Sequence, residues 1–211
     1  MKQAMKLSLA IGILIFGGCT QGPKYIDNTN IDKTKPATLG LDYIDFERAS
    51  MKLVDSMIKS PYLNNLYKEK IHKTNQPLVL MISDFINDTT QRIDIDQLVK
   101  KIRIELLSSG KFVTTTAVRA SGAEDKATMD LRKLRKNDEF DQKTIAKKGT
   151  VIAPDLSLSG KIIQRVSKLA NGDQRVDYYI QMSLTNVTSG LAVWEGEEVI
   201  SKEGSGKTAP W

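Results

Sequence analysis

One stretch near the C-terminal end of the chain is more constraining than any other. From residue 176 to residue 185, Val, Tyr, Ile, Met and Leu at the even positions alternate with mostly polar side chains. Successive side chains of a strand point to opposite faces, so this pattern predicts a strand with one buried and one solvated face. Asn171-Gly172 before it is a strong signal for a two-residue hairpin turn, and Thr188-Ser189-Gly190 is a second turn. Residues 151–200 therefore predict an antiparallel three-strand meander.

A second pattern, over residues 77–117, predicts a different unit. The apolar run PLVLMIS (77–83) is typical of a buried strand, and KFVTTTA (111–117) of another. Between them lies an amphipathic helix, which Asp94 and Gln97 open as a capping box and Gly110 closes. The helix carries an apolar stripe formed by Ile95, Leu98, Val99, Ile102 and Leu106. A strand, a helix and a strand in so short a span indicate a right-handed β-α-β unit with parallel strands.

Helical patterns precede and follow this unit. A helix capped by Asp42 should stop by Ser60, because Pro61 disfavours helical geometry in the residue before it, and Pro61 should begin a further short turn. Residues 118–149 are charged and mostly helix-forming. The fold class expected is α+β (mixed α/β), a single domain with helices packed on the sheet.

The N-terminus indicates export and lipidation. Lys2 and Lys6 precede an uncharged, apolar run over residues 7–16, and small residues lead into Cys19. This is signal-peptide architecture, and the run is too short to span a bilayer. Cys19 is the only cysteine, so it must remain free, pair with another chain or be modified. Its position after Gly17-Gly18 resembles the bacterial lipobox, which implies lipid on Cys19; an ordinary secreted protein with a free thiol is the alternative.

These observations predict the organisation of the chain. A signal peptide over 1–18 precedes a lipidated, flexible tether over 19–41, a globular domain over 42–203 with a helical segment at 42–70, and a tail over 204–211. The formal net charge is +6, and the two lysines of the signal peptide contribute to it. That mild basic excess suits an anionic or cell-wall partner, and no nucleic-acid-binding module is recognisable. By resemblance to enteric lipoproteins, Thr20 after the lipidated cysteine indicates the outer membrane.

The inventory of reactive side chains is thin. The only histidine, His72, lies in the polar stretch KEKIHKTN and favours a surface role over catalysis. One cysteine and one histidine cannot form a zinc site. The carboxylate cluster Asp84, Asp88, Asp94 and Asp96 lacks calcium-loop spacing and favours helix capping over metal binding. Gly204-Ser205-Gly206-Lys207-Thr208 lacks the helix that a phosphate loop requires. We therefore expect no enzyme activity, no cofactor, no metal and no small-molecule substrate.

A basic segment is the remaining candidate for function. Arg132, Lys133, Arg135 and Lys136 form the densest group of positive charges. Such a run is usually a solvated helix face. The functional alternative is contact with an acidic protein surface or an anionic wall polymer through electrostatic steering.

Five segments in a fixed order resemble one protein family. They are SDFINDT (83–89), SGKFV (109–113), DLSLSGKI (155–162), YYIQMSLTNVTSG (178–190) and AVWEGE (192–197). This order resembles the outer-membrane lipoprotein activators of penicillin-binding proteins, Lpo type B. Their fold is related to the curli-secretion lipoprotein and to the N-terminal domain of the Tol translocation protein TolB. The most specific piece is the long alternating strand followed by a turn and Val-Trp-x-Gly.

The resemblance implies a binding role without catalysis. Members of the family reach from the outer membrane through the wall, bind a bifunctional transpeptidase–glycosyltransferase and stimulate it. The expectation for this chain is therefore a lipid-anchored, periplasm-facing regulator of a peptidoglycan synthase. The alternative is an oligomeric structural or assembly lipoprotein of the envelope, associated with secretion or with the flagellum. Trp194 favours a place in the core over a place in an interface.

Overall fold

A five-stranded mixed sheet carries the fold, with helices on one of its faces. The structure is a computed structural model and describes residues 35–36, 38–119 and 125–205, all within the compact unit Thr34–Trp211. The helices are α1 (Tyr43–Lys59), α2 (Pro61–Thr74), α3 (Ile95–Ser108) and α4 (Ala127–Lys133), which runs into a 3-10 helix (Leu134–Lys136). The strands are β1 (Leu78–Asp88), β2 (Phe112–Thr114), β3 (Leu156–Lys168), β4 (Gln174–Asn186) and β5 (Ala192–Gly204). The expected α+β class is confirmed.

The strand order, β2-β1-β3-β4-β5, joins the two predicted units into one sheet. Helix α3 connects β1 to β2, and these two strands pair in parallel, as predicted. Strands β3, β4 and β5 form the predicted antiparallel meander. Strand β1 also pairs in parallel with β3, with Leu80 opposite Leu156 and Asp88 opposite Ile163. This central pairing holds the β-α-β unit to the meander.

Helix α1 begins where the sequence predicts. The Asp42 carboxylate accepts hydrogen bonds from the N–H groups of Ile44 and Asp45, at 2.9 and 3.1 Å, and Asp45 accepts one from the Asp42 N–H at 2.9 Å. This reciprocal box satisfies donors that have no partner inside the helix. At α3 the structure shows half of the predicted box: the Asp94 side chain accepts from the N–H groups of Asp96 and Gln97. Gly110 follows α3 in the left-handed conformation, with φ 69°, as expected for a C′ residue.

The predicted two-residue hairpin turn is wrong by one residue. The Leu169 N–H donates to the Asp173 carbonyl at 2.9 Å, and the Gly172 N–H donates to the Leu169 carbonyl at 3.0 Å. The loop therefore has three residues, and only Gly172 takes a positive φ, of 90°. Asn171 instead uses its side-chain oxygen to accept the Asp173 N–H at 3.0 Å. A type I turn closed by a left-handed glycine is the usual three-residue solution.

Other elements differ from the predictions in length. The segment after Pro61 is a helix of 14 residues and not a short turn. Strand β2 has three residues, and β1 continues through the turn-forming residues to Asp88. Here the ladder shifts register between Ile82 and Phe85, and Phe85 then pairs with Gly160. Residues 118–149 are less helical than predicted: the described part holds α4, the 3-10 helix and turns.

The core lies between the sheet and helices α1 and α3. Strand β4 turns Val176, Tyr178, Ile180, Met182 and Leu184 inward, and all five are buried. Leu98, Ile102 and Leu106 of α3 are also completely buried. Each such side chain contributes about 1.5–3 kcal/mol through burial, so the alternation read from the sequence accounts for much of the packing. The opposite face of the meander is left to solvent and carries rows of polar side chains such as Lys161, Gln181 and Glu197.

Candidate functional site

The residue expected to carry lipid lies outside the described residues. The same holds for the whole signal peptide, most of the tether and the tail from residue 206. None of the helices in the described ranges combines the length and hydrophobicity that a bilayer-spanning segment needs. Cys19 therefore stays a prediction from the sequence.

The chain enters the folded part earlier than the expected boundary at residue 42. Leu39 and Leu41 are buried in the core cluster. The Gln91 side-chain amide pairs with the backbone of Leu41, accepting from its N–H at 2.8 Å and donating to its carbonyl at 2.9 Å. A Cβ at residue 40 would fall 2.9 Å from the Gln91 amide oxygen, so a glycine there lets the Gln91 side chain approach the backbone closely. The last residues of the predicted tether are thus packed residues of the domain.

A buried lysine fastens this entry point to the sheet. The Lys202 ammonium, on β5, lies 2.5 Å from a carboxylate oxygen of Asp45 and 2.6 Å from the Gly40 carbonyl. Asp42 lies at 3.6 Å. Burying an ammonium is costly unless charge and hydrogen bonds compensate it, and here two carboxylates and a carbonyl do so. The start of α1, the end of β5 and residue 40 are held as one cluster.

Two residues of the predicted basic contact, Arg132 and Arg135, form hydrogen bonds within the domain. Arg132 donates to the Thr128 carbonyl at 2.9 Å and to the Thr150 hydroxyl at 3.0 Å, and Arg135 donates to the Ala146 carbonyl through two nitrogens. These bonds close residues 127–150 into an ordered segment. The sequence pattern predicted the same role for the arginines and the lysines. In the structure the arginines bond within the segment, whereas the lysines are exposed.

The two lysines of the cluster point to solvent. Lys133 pairs with Asp130, at 2.6 Å, and its ammonium lowers the pKa of that exposed carboxyl. Lys136 is exposed, and no hydrogen bond or ion pair to a described residue is found for its side chain. Partner contact by Arg132, Lys133, Arg135 and Lys136 stays a prediction, with the two lysines as its accessible members.

A groove lined by apolar side chains and threonines lies beside this basic segment, and the sequence pattern did not predict it. It has a volume of about 340 Å³ and runs between the β2 edge and residues 150–152. Val113, Val151 and Ile152 line it and are exposed. The available signal was the apolar pair Val151-Ile152 at the end of a charged stretch.

The solvent face of the meander is chemically mixed. Glu195 and Glu197 accept hydrogen bonds from Ser183 and Gln181 across the β4–β5 ladder. Asp177 accepts from Ser201 and Arg175, and these bonds hold the pKa of its carboxyl below the ordinary value against the effect of burial. On the inner face, burial raises the pKa of Tyr178 to about 12, helped by the nearby Asp45 charge.

The carboxylates considered as a metal site are used separately. Asp94 caps α3, Asp96 pairs with Arg119 at 2.8 Å, and Asp88 pairs with Lys161 at 2.7 Å, which lowers the Asp88 pKa. Within the described ranges, no group of three or more His, Cys, Asp or Glu side chains could hold a metal ion. The structure therefore places Asp88, Asp94 and Asp96 as caps and surface pairs, and Asp84 is an exposed residue of β1.

The remaining single residues have structural positions. His72 is exposed in the last turn of α2. Trp194 is partly buried against the core cluster, and a Cβ on Gly196 would fall 2.4 Å from its ring, so the indole lies over that glycine. This position agrees with the expected core role. The glycine-rich sequence 204–208 leaves the described part of the chain after residue 205.

Comparison with known proteins gives one family. A family model described as peptidoglycan-synthase activator LpoB matches residues 45–200. No curated protein matches the chain significantly by sequence.

Similar solved structures include the LpoB C-terminal domain from Salmonella enterica, at 16% identity and a TM-score of 0.43, covering 75% of this chain and 99% of that one. The NMR structure of E. coli LpoB matches at 15% identity and 0.40, covering 97% and 87%. The lipoprotein GNA1162 from Neisseria meningitidis matches at 13% and 0.34, covering 60% and 84%.

Proposed function

Because this chain belongs to the LpoB family of peptidoglycan-synthase activators, we propose that it binds a periplasmic peptidoglycan synthase and stimulates it without chemistry of its own. The observation that carries the proposal is the extent of the family match, residues 45–200, which runs from helix α1 into strand β5. The match therefore concerns the whole packed domain and not a short motif.

The interactions of the acidic side chains also support a non-catalytic role. Three of the four clustered carboxylates, Asp88, Asp94 and Asp96, are engaged in helix capping and in surface ion pairs. General acid–base catalysis requires such groups to face a common reacting centre. A protein that acts by binding needs instead an accessible surface with apolar and charged groups, which the segment around residues 113–152 offers.

The proposed anchor is a lipid on Cys19 in the periplasmic leaflet of the outer membrane. Residues 20–38 would then connect the lipid to the first packed residue, Leu39. Nineteen residues span at most roughly 65 Å when fully extended, and about 25 Å on average as a flexible coil. The synthase must therefore present its binding site within that distance of the membrane surface.

Two experiments on intact cells test the proposal. Affinity capture of the full chain after cross-linking should recover a bifunctional transpeptidase–glycosyltransferase, and its absence from repeated captures would contradict the role. The full chain should fractionate with membranes, whereas Cys19→Ser should be released into the soluble periplasm. A Cys19→Ser variant that stays with membranes as the parent does, or an unmodified Cys19 sulfur by mass spectrometry, would contradict the anchor.

A further inference from the structure

We infer that the synthase docks in the groove beside strand β2, which valine, isoleucine and threonine side chains line, through an extended segment that carries apolar and acidic side chains. The inference rests on the proposed function and names the surface and the chemistry of the partner. It is carried by the shape of the groove, by the exposed apolar residues around it and by the positive charge on the segment that forms its wall.

Hydrogen bonds of Arg132 brace one wall of the groove. One side is β2 with the threonines that follow it, and the other is residues 150–152. Arg132 ties the two parts of the second side together, since its guanidinium bonds to both Thr128 and Thr150. These bonds favour the arrangement of that wall, which lowers the entropic cost of binding.

Exposed apolar side chains are frequent in the described chain from β2 to residue 152, and three of them, Val113, Val151 and Ile152, line the groove. Of the sixteen large hydrophobic residues exposed in the described ranges, seven lie between residues 113 and 152. Helix α4, in the same segment, contains no buried residue. A segment that keeps an ordered shape without contributing to the core, and presents apolar groups to water, is typical of a protein-binding surface.

The charge of residues 125–152, the segment that supplies one wall of the groove, indicates an acidic partner. Residues 125–152 contain eight Lys or Arg and five Asp or Glu. Lys136, Lys143, Lys147 and Lys148 are exposed, and no ion pair joins them to a described residue. An acidic rim on the partner would be steered to this surface and held in register.

A protein segment fits the groove better than a lipid chain does. Its walls include Thr114, Thr115, Thr116, Thr128 and Thr150. Hydroxyl groups lose hydrogen bonds when an acyl chain covers them, whereas a peptide can satisfy them. Strand β2 is also at the end of the sheet, with β1 as its only neighbour among the described strands. An extended segment of the partner can therefore pair with the outer edge of β2.

The test measures the affinity of the full chain, in detergent, for the purified synthase. Ile152→Asp and Val151→Asp change exposed groove residues outside regular structure, so both variants should keep the parent's melting temperature. Each should weaken binding by about tenfold or more, since it removes an apolar contact and places a negative charge opposite an acidic partner. Leu191→Asp, 66% exposed at the β4–β5 turn, and Val199→Asp, 43% exposed on the solvent face of the sheet, are the matched controls and should bind within about twofold of the parent.

The outcomes separate the two proposals. Parent-like affinity of both groove variants, or an equal loss in Val199→Asp, would overturn the docking site while the parent's binding keeps the proposed function. If the folded parent binds no synthase, the proposed function itself fails. A Cys19→Ser chain that co-sediments with vesicles of phosphatidylethanolamine and phosphatidylglycerol, and loses this with Ile152→Asp, would overturn the site in favour of a membrane surface.

Discussion

Removal of the buried ammonium of Lys202 is the sharpest test of how the domain is held together. Lys202→Met keeps most of the aliphatic stem and deletes the charge. The lysine side chain is 3% exposed and that of its partner Asp45 is 7% exposed. The substitution therefore leaves a carboxylate buried beside apolar side chains, and the Gly40 carbonyl without its donor.

The expected loss follows from what remains after the change. Deleting one member of a buried ion pair typically costs about 3–5 kcal/mol. Asp45 still accepts the Asp42 N–H at 2.9 Å, which offsets part of that cost, so we expect about 3 kcal/mol. The matched control is Lys59→Met, which removes the ion pair with Asp55; the two side chains are 72% and 61% exposed. Exposed pairs contribute about 0–1 kcal/mol, and the control should lose no more than that.

Urea denaturation of the full chain, followed by far-UV circular dichroism, measures both losses. A Lys202→Met/Asp45→Asn double variant should recover part of the stability, because it removes the uncompensated carboxylate. If Lys202→Met loses no more than Lys59→Met, or if the double variant is as unstable as the sum of its single changes, the ion pair does not hold residue 40 to the sheet.

Three further changes test the core and its charges. Gly160→Ala should cost about 1–3 kcal/mol in urea denaturation, because its Cβ would lie 2.4 Å from the Phe85 ring and 2.8 Å from a backbone carbonyl oxygen. Tyr178→Phe should leave the unfolding free energy unchanged or raise it by up to about 1 kcal/mol, because the buried hydroxyl has no hydrogen-bond partner among the described residues. Asp177 has a lowered pKa in the folded state, so it stabilises the fold above the unfolded pKa of about 3.9 and loses this effect as pH falls through the folded pKa. The parent should therefore lose more stability than Asp177→Asn between about pH 5 and pH 2 in urea titrations.

Each of these changes has a result that contradicts it. The control for Gly160→Ala is Ser159→Ala, which lies next to it on the solvent side of β3. Equal losses of unfolding free energy in the two variants would show that a Cβ at residue 160 causes no steric clash. A Tyr178→Phe loss well above about 1 kcal/mol would reveal a partner for the hydroxyl. Parallel pH profiles for Asp177→Asn and the parent would show that this carboxyl is not stabilised by folding.

The elements that the sequence predicted well are those whose pattern is local. Helices α1 and α3 and the meander strands carry their period and their caps within their own residues. The pairing of β1 with β3 carries no such signal, because it depends on which faces pack together after both units have formed. The extension of β1 to Asp88 depends on it too, since the turn-forming residues there become strand by pairing with β3.

In the candidate site, too, the local features could be predicted from the sequence and the long-range contacts could not. The basic cluster was visible because its charges are adjacent, but the internal bonds of Arg132 and Arg135 were not, because Thr150 and Ala146 follow after a loop. The packing of the chain at residue 40 was even harder to predict from the sequence, because the Lys202–Gly40 contact joins residues 162 positions apart. Only the folded backbone brings such groups together.

The central claim is that this chain activates a peptidoglycan synthase. Its most direct test is the rate at which the purified synthase of the same bacterium polymerises labelled lipid-linked precursor in liposomes, with and without the full lipidated chain. The account predicts a saturable increase in rate with the parent, retained by Leu191→Asp and weakened by Ile152→Asp. A rate that does not change at any concentration of a correctly folded, membrane-bound chain would contradict it.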